Sequence, residues 1–273
     1  MQGERGSNSH MAALDLARGY EVLPCTVSAD VFTALADRTA ACAVLPIENT
    51  LHGAVTEHYD LLLANPVRIE AEGLLQIRHN LIAAPGVELS AIRTVLSHPV
   101  ALNQCRKFLA TFTQAHALPF YDTAGSVKHI MAESLRDTAG LAPELAATEY
   151  GANILLRGVE DHAQNFTRFH LIVPAGEPSR QTADPDKLSV AFSLEHRPGT
   201  LVRALQALAA AGVNLTRIES RPVPGQPWEY VFFVEFRFTG ASAADDALDA
   251  LRTEARMVRE LGRYKAAAGL SPS

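Results

Sequence analysis

Short apolar runs alternate with segments of helical periodicity through the first two thirds of the chain. Residues 21–25, 41–47, 94–97 and 118–121 predict strands, and 67–84 predicts an extended stretch. Helices are predicted from His10, over 29–37, 55–63, 100–113 and 126–135. This alternation predicts an α/β region with largely parallel sheets. Ligands of such sheets bind beyond the strand ends, where Ile47-Glu48-Asn49, Ser97-His98-Pro99 and Asp122-Thr123 fall. A further apolar run, His170-Leu171-Ile172-Val173, has Thr167 and Arg168 side by side at its mouth.

The pattern changes after Pro174. Residues Pro174 to Lys187 hold three prolines, a glycine and small polar residues, and predict a linker. Beyond it, strands are predicted over 188–194, 213–220, 228–238 and 257–261. Helices are predicted over 198–211, opened by Pro198 and ended by Gly212, and over 243–253. Residues 221–227 predict a turn. The resulting order, βαββαβ, is a ferredoxin-like unit.

Composition narrows the function classes. A length of 273 residues suits about two domains, and 48 % apolar residues can build ordinary cores. The net charge is −6, from 24 basic and 30 acidic residues, with no dense Lys/Arg block, so no nucleic-acid footprint exists. The ten histidines form no His-x-x-x-His pair and flank no Cys-x-x-Cys, so no metal site is predicted. Cys25, Cys42 and Cys105 have no framework spacing and read as reduced thiols of a cytoplasmic protein. The polar N-terminus does not read as a signal peptide, and no apolar run reaches the roughly 18 residues of a membrane span.

Four segments of the first region carry candidate chemistry. Gly3-Glu4-Arg5-Gly6-Ser7-Asn8-Ser9 precedes a helix, and its glycines free backbone N–H groups for an anion. Its plainer reading is a helix cap by Ser7 or Ser9. Glu48-Asn49-Thr50 follows an apolar strand, and its plainer reading is a turn in which Asn49 bonds its own backbone. Ser97-His98-Pro99 opens a helix that places Gln104 one turn above Val100; a plain cap with an exposed glutamine is the alternative. The fourth is Thr167-Arg168, a hydroxyl that can donate a proton beside a guanidinium that can hold a carboxylate. No serine has a Gly-x-Ser-x-Gly setting, and Gly3 to Gly6 is no dinucleotide fingerprint. Acid-assisted elimination and plain binding remain.

Taken in order, these segments resemble the prephenate dehydratase family. The resemblance rests on Gln2 to Ser9, Pro46-Ile47-Glu48-Asn49-Thr50, Ser97 to Cys105, Asp122-Thr123-Ala124 and Asn165-Phe166-Thr167-Arg168-Phe169. The second region resembles an ACT regulatory domain through His196-Arg197-Pro198-Gly199-Thr200-Leu201, Asn214-Leu215 and Glu219-Ser220-Arg221-Pro222.

The resemblance implies an α/β, two-lobed catalytic domain similar to type 2 periplasmic binding proteins over 1–174. Its lobes would be about 1–78 with 155–174, and 79–154, followed by a linker over 175–187 and a ferredoxin-like ACT domain over 188–265. It implies a carbon–oxygen lyase (a hydro-lyase) that converts prephenate to phenylpyruvate, carbon dioxide and water in L-phenylalanine biosynthesis, without metal or cofactor. Thr167 is then the proton donor to the leaving hydroxyl and Arg168 a carboxylate clamp. Asn49, Ser97 and Gln104 orient the substrate, and Glu48 anchors a partner side chain or the loop. Ser9 and Thr123 bind carboxylate oxygens, with Phe169 also in the substrate site. For the ACT domain it implies feedback inhibition by L-phenylalanine, bound by Gly199, Thr200, Leu201, Val202, Asn214, Leu215, Glu219, Ser220, Arg221 and Pro222. Paired ACT domains imply a homo-oligomer, a dimer or tetramer. No nucleic-acid or membrane partner is expected.

Three positions depart from the family pattern. Only Met1 stands where the family has a strand before its Gln-Gly, Thr200 replaces the alanine usual in the ACT turn, and Arg263 stands where a small serine is common. The alternatives are an arogenate dehydratase on the same fold and a catalytically inactive phenylalanine-binding regulator.

Overall fold

The computed structural model describes residues 1–267 other than 180, 182 and 224. Residues 180 and 182 of the expected linker and residue 224 of the expected turn thus lie outside the described residues. In chain order the elements begin with α1 (Asn8–Leu16), α2 (Ser28–Ala36), β1 (Ala43–Asn49), β2 (Gly53–Ala54), α3 (Thr56–Ala64), β3 (Val67–Gln76) and β4 (Asn80–Ala83). They continue with β5 (Thr94–Ser97), α4 (Pro99–Gln104), α5 (Arg106–Thr111), β6 (His116–Pro119), α6 (Thr123–Ala132), β7 (Thr138–Ala142), α7 (Glu144–Tyr150), β8 (Asn153–Leu156) and β9 (Phe166–Pro174). The last six are β10 (Lys187–Ser193), α8 (Thr200–Ala210), β11 (Asn214–Pro222), β12 (Tyr230–Arg237), α9 (Ala241–Glu254) and β13 (Met257–Tyr264).

The chain is α/β and divides into two compact units. One holds residues 1–34, 43–54 and 74–169; the other holds 35–42, 55–73 and 170 onward. Two four-stranded sheets order β2-β1-β9-β3 and β11-β12-β10-β13, and a five-stranded sheet orders β6-β5-β7-β4-β8.

In the first unit the five-stranded sheet is mixed, not largely parallel as its pattern predicts. Strand β5 runs parallel to β6 and β7, but β4 is antiparallel to both its neighbours, β7 and β8. Apolar runs report burial and not direction, so the pattern could not separate the two. Leu81 and Ala83 enter one apolar cluster and Ile82 another, as strand alternation requires. The whole of β4 is therefore buried. Strand β7, helix α7 and strand β8 have no counterpart in the sequence reading. The segment Thr138-Ala139-Gly140-Leu141-Ala142 is small and carries a glycine, both weak strand signals. Gly140 is there for packing: a Cβ would lie 2.6 Å from Ser126 Oγ on α6.

Other boundaries moved for identifiable reasons. The helix expected over 100–113 is two short helices. Asp161 N takes the Gln104 carbonyl (2.7 Å), and Asp161 Oδ1 accepts from Lys107 N (2.9 Å), which ends one helix and caps the next. Helix α6 begins three residues early because Asp122 caps it, accepting from Gly125 N at 2.7 Å. The strand expected at 21–25 reduces to one parallel bridge between Cys25 and Gln2. There the Met1 ammonium donates to Leu23 O, Cys25 N to Met1 O and Gly3 N to Cys25 O. Pro24 lacks the N–H that would extend the ladder.

The C-terminal part of the second unit has the expected βαββαβ order, and its strands pair antiparallel. Helix α8 starts at Thr200, after Pro198. Gly199 turns the chain at φ 85°, and Thr200 Oγ1 donates to the carbonyls of Glu195 and Arg197, each at 2.9 Å. Leu188, Val190, Phe192, Val234 and Phe236 meet Leu208, Leu248 and Leu251 of the helices in one core.

The same unit buries a charged cluster. Lys187 belongs to β10 and not to the linker. Its Nζ lies 2.6 Å from Glu72 Oε2 and 2.9 Å from Glu235 Oε2, all three side chains being almost inaccessible. His170 Nε2 stands 3.8 and 3.9 Å from the same two glutamates. The Ser189 and Tyr264 hydroxyls are 2.6 Å apart. Removing one ion of such a group strands the others without water. Lys187→Met is expected to lower unfolding free energy by about 3–5 kcal/mol, read from urea unfolding; a loss within ordinary surface scatter would show that the cluster is hydrated.

Candidate active site

The first unit contains a cavity of about 570 Å³. Its walls come from the loop before α1 and the start of that helix (Gly3, Glu4, Ser7, Ser9), from the start of α6 (Tyr121, Asp122, Thr123, Lys128), and from β9 (Thr167, Phe169). The first turns of α1 and α6 thus both reach it. Ser7 caps α1, its oxygen accepting from His10 N at 3.3 Å. Helix N-termini favour anions, so two walls suit carboxylate oxygens.

Asn49 joins this wall to the turn after β1. Its Oδ1 accepts from Leu51 N at 3.0 Å and His52 N at 3.1 Å, the turn anticipated as its plainer reading. That fixes the amide orientation, because only the oxygen can take two N–H groups. The Nδ2 end then donates to Thr167 Oγ1 at 3.0 Å, with Asn165 Oδ1 (2.8 Å) and Phe166 O (3.1 Å) also in reach. With a lone pair of Thr167 Oγ1 occupied by Asn49, its own O–H is left to point elsewhere. Thr167 is 8 % exposed and lines the cavity.

Thr167 and Arg168 are the second and third residues of β9, which begins at Phe166. Consecutive strand residues point to opposite faces. Thr167 and Phe169 accordingly line the cavity and Arg168 does not. Arg168 Nη2 instead donates to Glu48 Oε2 at 3.0 Å. The dipeptides Glu48-Asn49 and Thr167-Arg168, on neighbouring strands, thus make two separate pairs: Asn49 with Thr167 and Glu48 with Arg168.

The remaining predicted residues divide. Ser9, Thr123 and Phe169 line the cavity. Ser97 is fully buried and donates to Leu141 O at 2.6 Å, away from the described lining. Gln104 is buried, not exposed, with Oε1 2.7 Å from His79 Nε2 and Nε2 3.1 Å from His52 Nδ1. The cap of α4 is His98, whose Nδ1 accepts from Val100 N.

Several residues escaped the sequence reading. Glu4 accepts from Tyr121 OH at 2.8 Å and Lys128 Nζ at 2.9 Å. Burial, then the Glu4 contact, pushes the Tyr121 phenol up to about 12. Burial also raises Asp122 above the usual carboxylate range. Neither Tyr121 nor Lys128 stands in a motif, and only the fold brings them to Glu4. Asn165 was within reach of the reading, since it opens the motif containing Thr167. The loop before α1 approaches α7 closely: Tyr150 OH donates to Arg5 O at 2.8 Å.

In the second unit a separate pocket of about 440 Å³ is lined by Gly199, Thr200, Leu201 and Val202, together with residues 194–198, Trp228 to Tyr230 and Phe232. Asn214, Leu215, Glu219, Ser220, Arg221 and Pro222 lie on β11 outside that lining. Arg221 makes a two-pronged bond to Asp60 of α3, at 3.1 and 2.7 Å, and Glu219 pairs with Arg217 at 3.4 Å.

Fold and cavities together define an α/β protein with a polar, helix-capped site and a C-terminal ferredoxin-like module. A family model described as prephenate dehydratase matches residues 1–176, and an ACT domain model matches 189–253. An arogenate dehydratase/prephenate dehydratase of Arabidopsis thaliana is 39 % identical over 96 % of this chain and 71 % of its own length. A prephenate dehydratase of Arthrobacter aurescens, solved in complex with L-Phe, is 32 % identical at TM-score 0.87, over 97 % of this chain and 88 % of that one. GqqA, described as a novel type of quorum-quenching acylase, is 31 % identical at TM-score 0.88, over 99 % and 97 %. The chain belongs to the prephenate dehydratase family and carries a C-terminal ACT domain.

Gly6 tests how tightly this site is built. It has φ 82°, and a Cβ there would lie 2.7 Å from Ala146 Cα of α7. Gly6→Ala is expected to cost about 1–3 kcal/mol. A thermal melt indistinguishable from wild type would mean that the loop can leave α7 freely.

Proposed function

We propose that the protein is a prephenate dehydratase, a hydro-lyase that converts prephenate to phenylpyruvate, carbon dioxide and water, and that L-phenylalanine feeds back on it through the ACT domain. The observation that carries this reading is the Thr167 hydroxyl held by Asn49 on the cavity wall. In the reaction the ring carboxylate leaves as carbon dioxide, and its bonding pair enters the ring. The ring hydroxyl departs with its own electrons and takes up a proton, so the ring becomes aromatic. Thr167 donates the hydrogen bond and proton to that departing oxygen, and its oxygen takes a proton back from solvent water when the products leave. Its alignment by Asn49 and its shielding from water supply the catalysis, since a free threonine is a weak acid.

The carboxylates of the substrate suit the first turns of α1 and α6, through Ser9 and Thr123 and their backbone N–H groups. Lys128, beside Glu4, is the one Lys or Arg among the described lining residues and adds positive charge there. Arg168, first expected as the clamp, is assigned instead to bracing β9 against Glu48 of β1 behind the Asn49–Thr167 pair. Gln104 acts through the histidines that hold it. One observation favours the second reading, an arogenate dehydratase: the carboxylates of Glu4 and Asp122 in the lining suit an ammonium group better than a keto group.

For regulation, the pocket at Gly199 to Val202 is a concave site beside the N-terminus of α8, suited to an amino-acid carboxylate and an aromatic side chain. A homo-oligomer through the ACT domains is supported by β11, an edge strand that exposes Leu215 and Ile218. The free cysteines suit a cytoplasmic setting, and no helix among the described residues is long and apolar enough to cross a membrane.

Turnover of prephenate and of arogenate, measured side by side, tests the reading and ranks the two substrates. Thr167→Ala is expected to lower kcat by about 10²–10⁴ with a smaller change in KM, and Thr167→Ser to keep most of it. Near-normal kcat in the alanine variant would remove Thr167 from the mechanism. Phenylalanine and substrate binding are expected to oppose each other by about 1–3 kcal/mol. Trp228, the single tryptophan, lies at the effector pocket and gives a fluorescence readout of binding independent of turnover. A substrate rate curve untouched by saturating phenylalanine would end the regulatory reading.

A further inference from the structure

The bond from Asn49 to Thr167 is the last link of a longer chain. Asn49 turns Nδ2 toward Thr167 because its Oδ1 is held by the N–H groups of Leu51 and His52. The side chain of His52 is held in turn: its Nδ1 lies 3.1 Å from Gln104 Nε2. The other end of the same amide, Gln104 Oε1, lies 2.7 Å from His79 Nε2.

An amide has one donating and one accepting end, so the two imidazoles must present opposite faces to it. His79 decides which. It is 2 % exposed, and its Nδ1 is buried with no hydrogen-bond partner. A proton on Nδ1 would be a buried N–H without an acceptor, so the proton sits on Nε2 and points at Gln104 Oε1. Burial also lowers the basicity of His79, which keeps the ring neutral. Gln104 Nε2 must then donate to the lone pair of His52 Nδ1. The bonds run in one sense, from His79 through Gln104 to the His52 side chain. Its backbone N–H continues the chain to Asn49, and Asn49 donates to Thr167.

We propose that His52 and His79 are positioning residues for the Thr167 hydroxyl. His79 sets the orientation of Gln104, and Gln104 ties down the side chain of His52. That holds the turn over residues 49–52 in the form in which Asn49 presents its N–H to Thr167. Nothing in this chain of bonds requires either histidine to touch substrate. The inference rests on the reading of Thr167 as the hydrogen-bond donor in the dehydration.

The test is His52→Ala beside His52→Asn, whose carboxamide oxygen offers an acceptor near the place of Nδ1. His52→Ala is expected to lower kcat by about ten- to a hundredfold, the scale of a displaced catalytic group, with KM within about threefold. His52→Asn is expected to recover most of that loss. Unchanged kcat in the alanine variant, an equal loss in both variants, or a rise in KM alone would overturn the proposal. A second measurement does not depend on turnover. In nitrogen-15 spectra of the imidazoles, His79 is expected neutral with its proton on Nε2. The urea midpoints of His52→Ala, Asn49→Ala and the double variant are expected to be non-additive. Additive midpoints, or a proton on Nδ1 of His79, would overturn it whatever the activity. If the wild-type chain turned over neither prephenate nor arogenate, the dehydratase reading would fall, while the midpoints and spectra still decide the chain of bonds.

Discussion

One amide group organises the site. Asn49 accepts two backbone N–H groups at one end and donates to Thr167 at the other. The first two bonds belong to the turn, and they remove the freedom of the amide to flip. The third occupies a lone pair of Thr167 Oγ1 and leaves the hydroxyl proton free for another acceptor. The bonds that close the turn and the bond that reaches Thr167 on the cavity wall thus come from one side chain.

Strand alternation settles what stands behind that amide. On β1 and β9, adjacent residues look to opposite faces, so the motif Thr167-Arg168 cannot place both side chains in the cavity. The hydroxyl faces the cavity, and the guanidinium meets Glu48. Positive character at the site comes instead from two helix starts and from Lys128, itself balanced by Glu4. Fixed backbone dipoles of this kind need no reorganisation and carry no long side chain to order.

The second unit follows a different rule. Its apolar core is ordinary, but next to it Lys187, Glu72, Glu235 and His170 lie out of water together. A group of this kind adds little net stability over well-packed apolar residues, yet punishes the loss of any member. It also turned the last residue of an apparent linker into the first buried residue of β10, a change invisible while Lys187 is read as a polar residue after prolines.

Much of the molecule was legible in the chain alone. The alternating apolar runs placed most strands and helices of both regions, because burial on a sheet or helix face imposes its period directly on sequence. The order of the motifs identified the family, and Ser9, Thr123, Thr167 and Phe169 were named as site residues and line the cavity. Strand direction was not legible, since an apolar run has no sense of polarity. The small-residue strand β7 was not legible either, because its role is to let α6 approach. Nor were the partners of polar residues. Ser97 bonds inward to Leu141, Gln104 lies between two histidines, and Lys128 meets Glu4 from far along the chain. Sequence by itself determined which groups are available and on which period they repeat. Which face each group takes, and what it touches there, was decided only by the tertiary structure, because hydrogen bonds and ion pairs depend on distances between segments far apart in the chain.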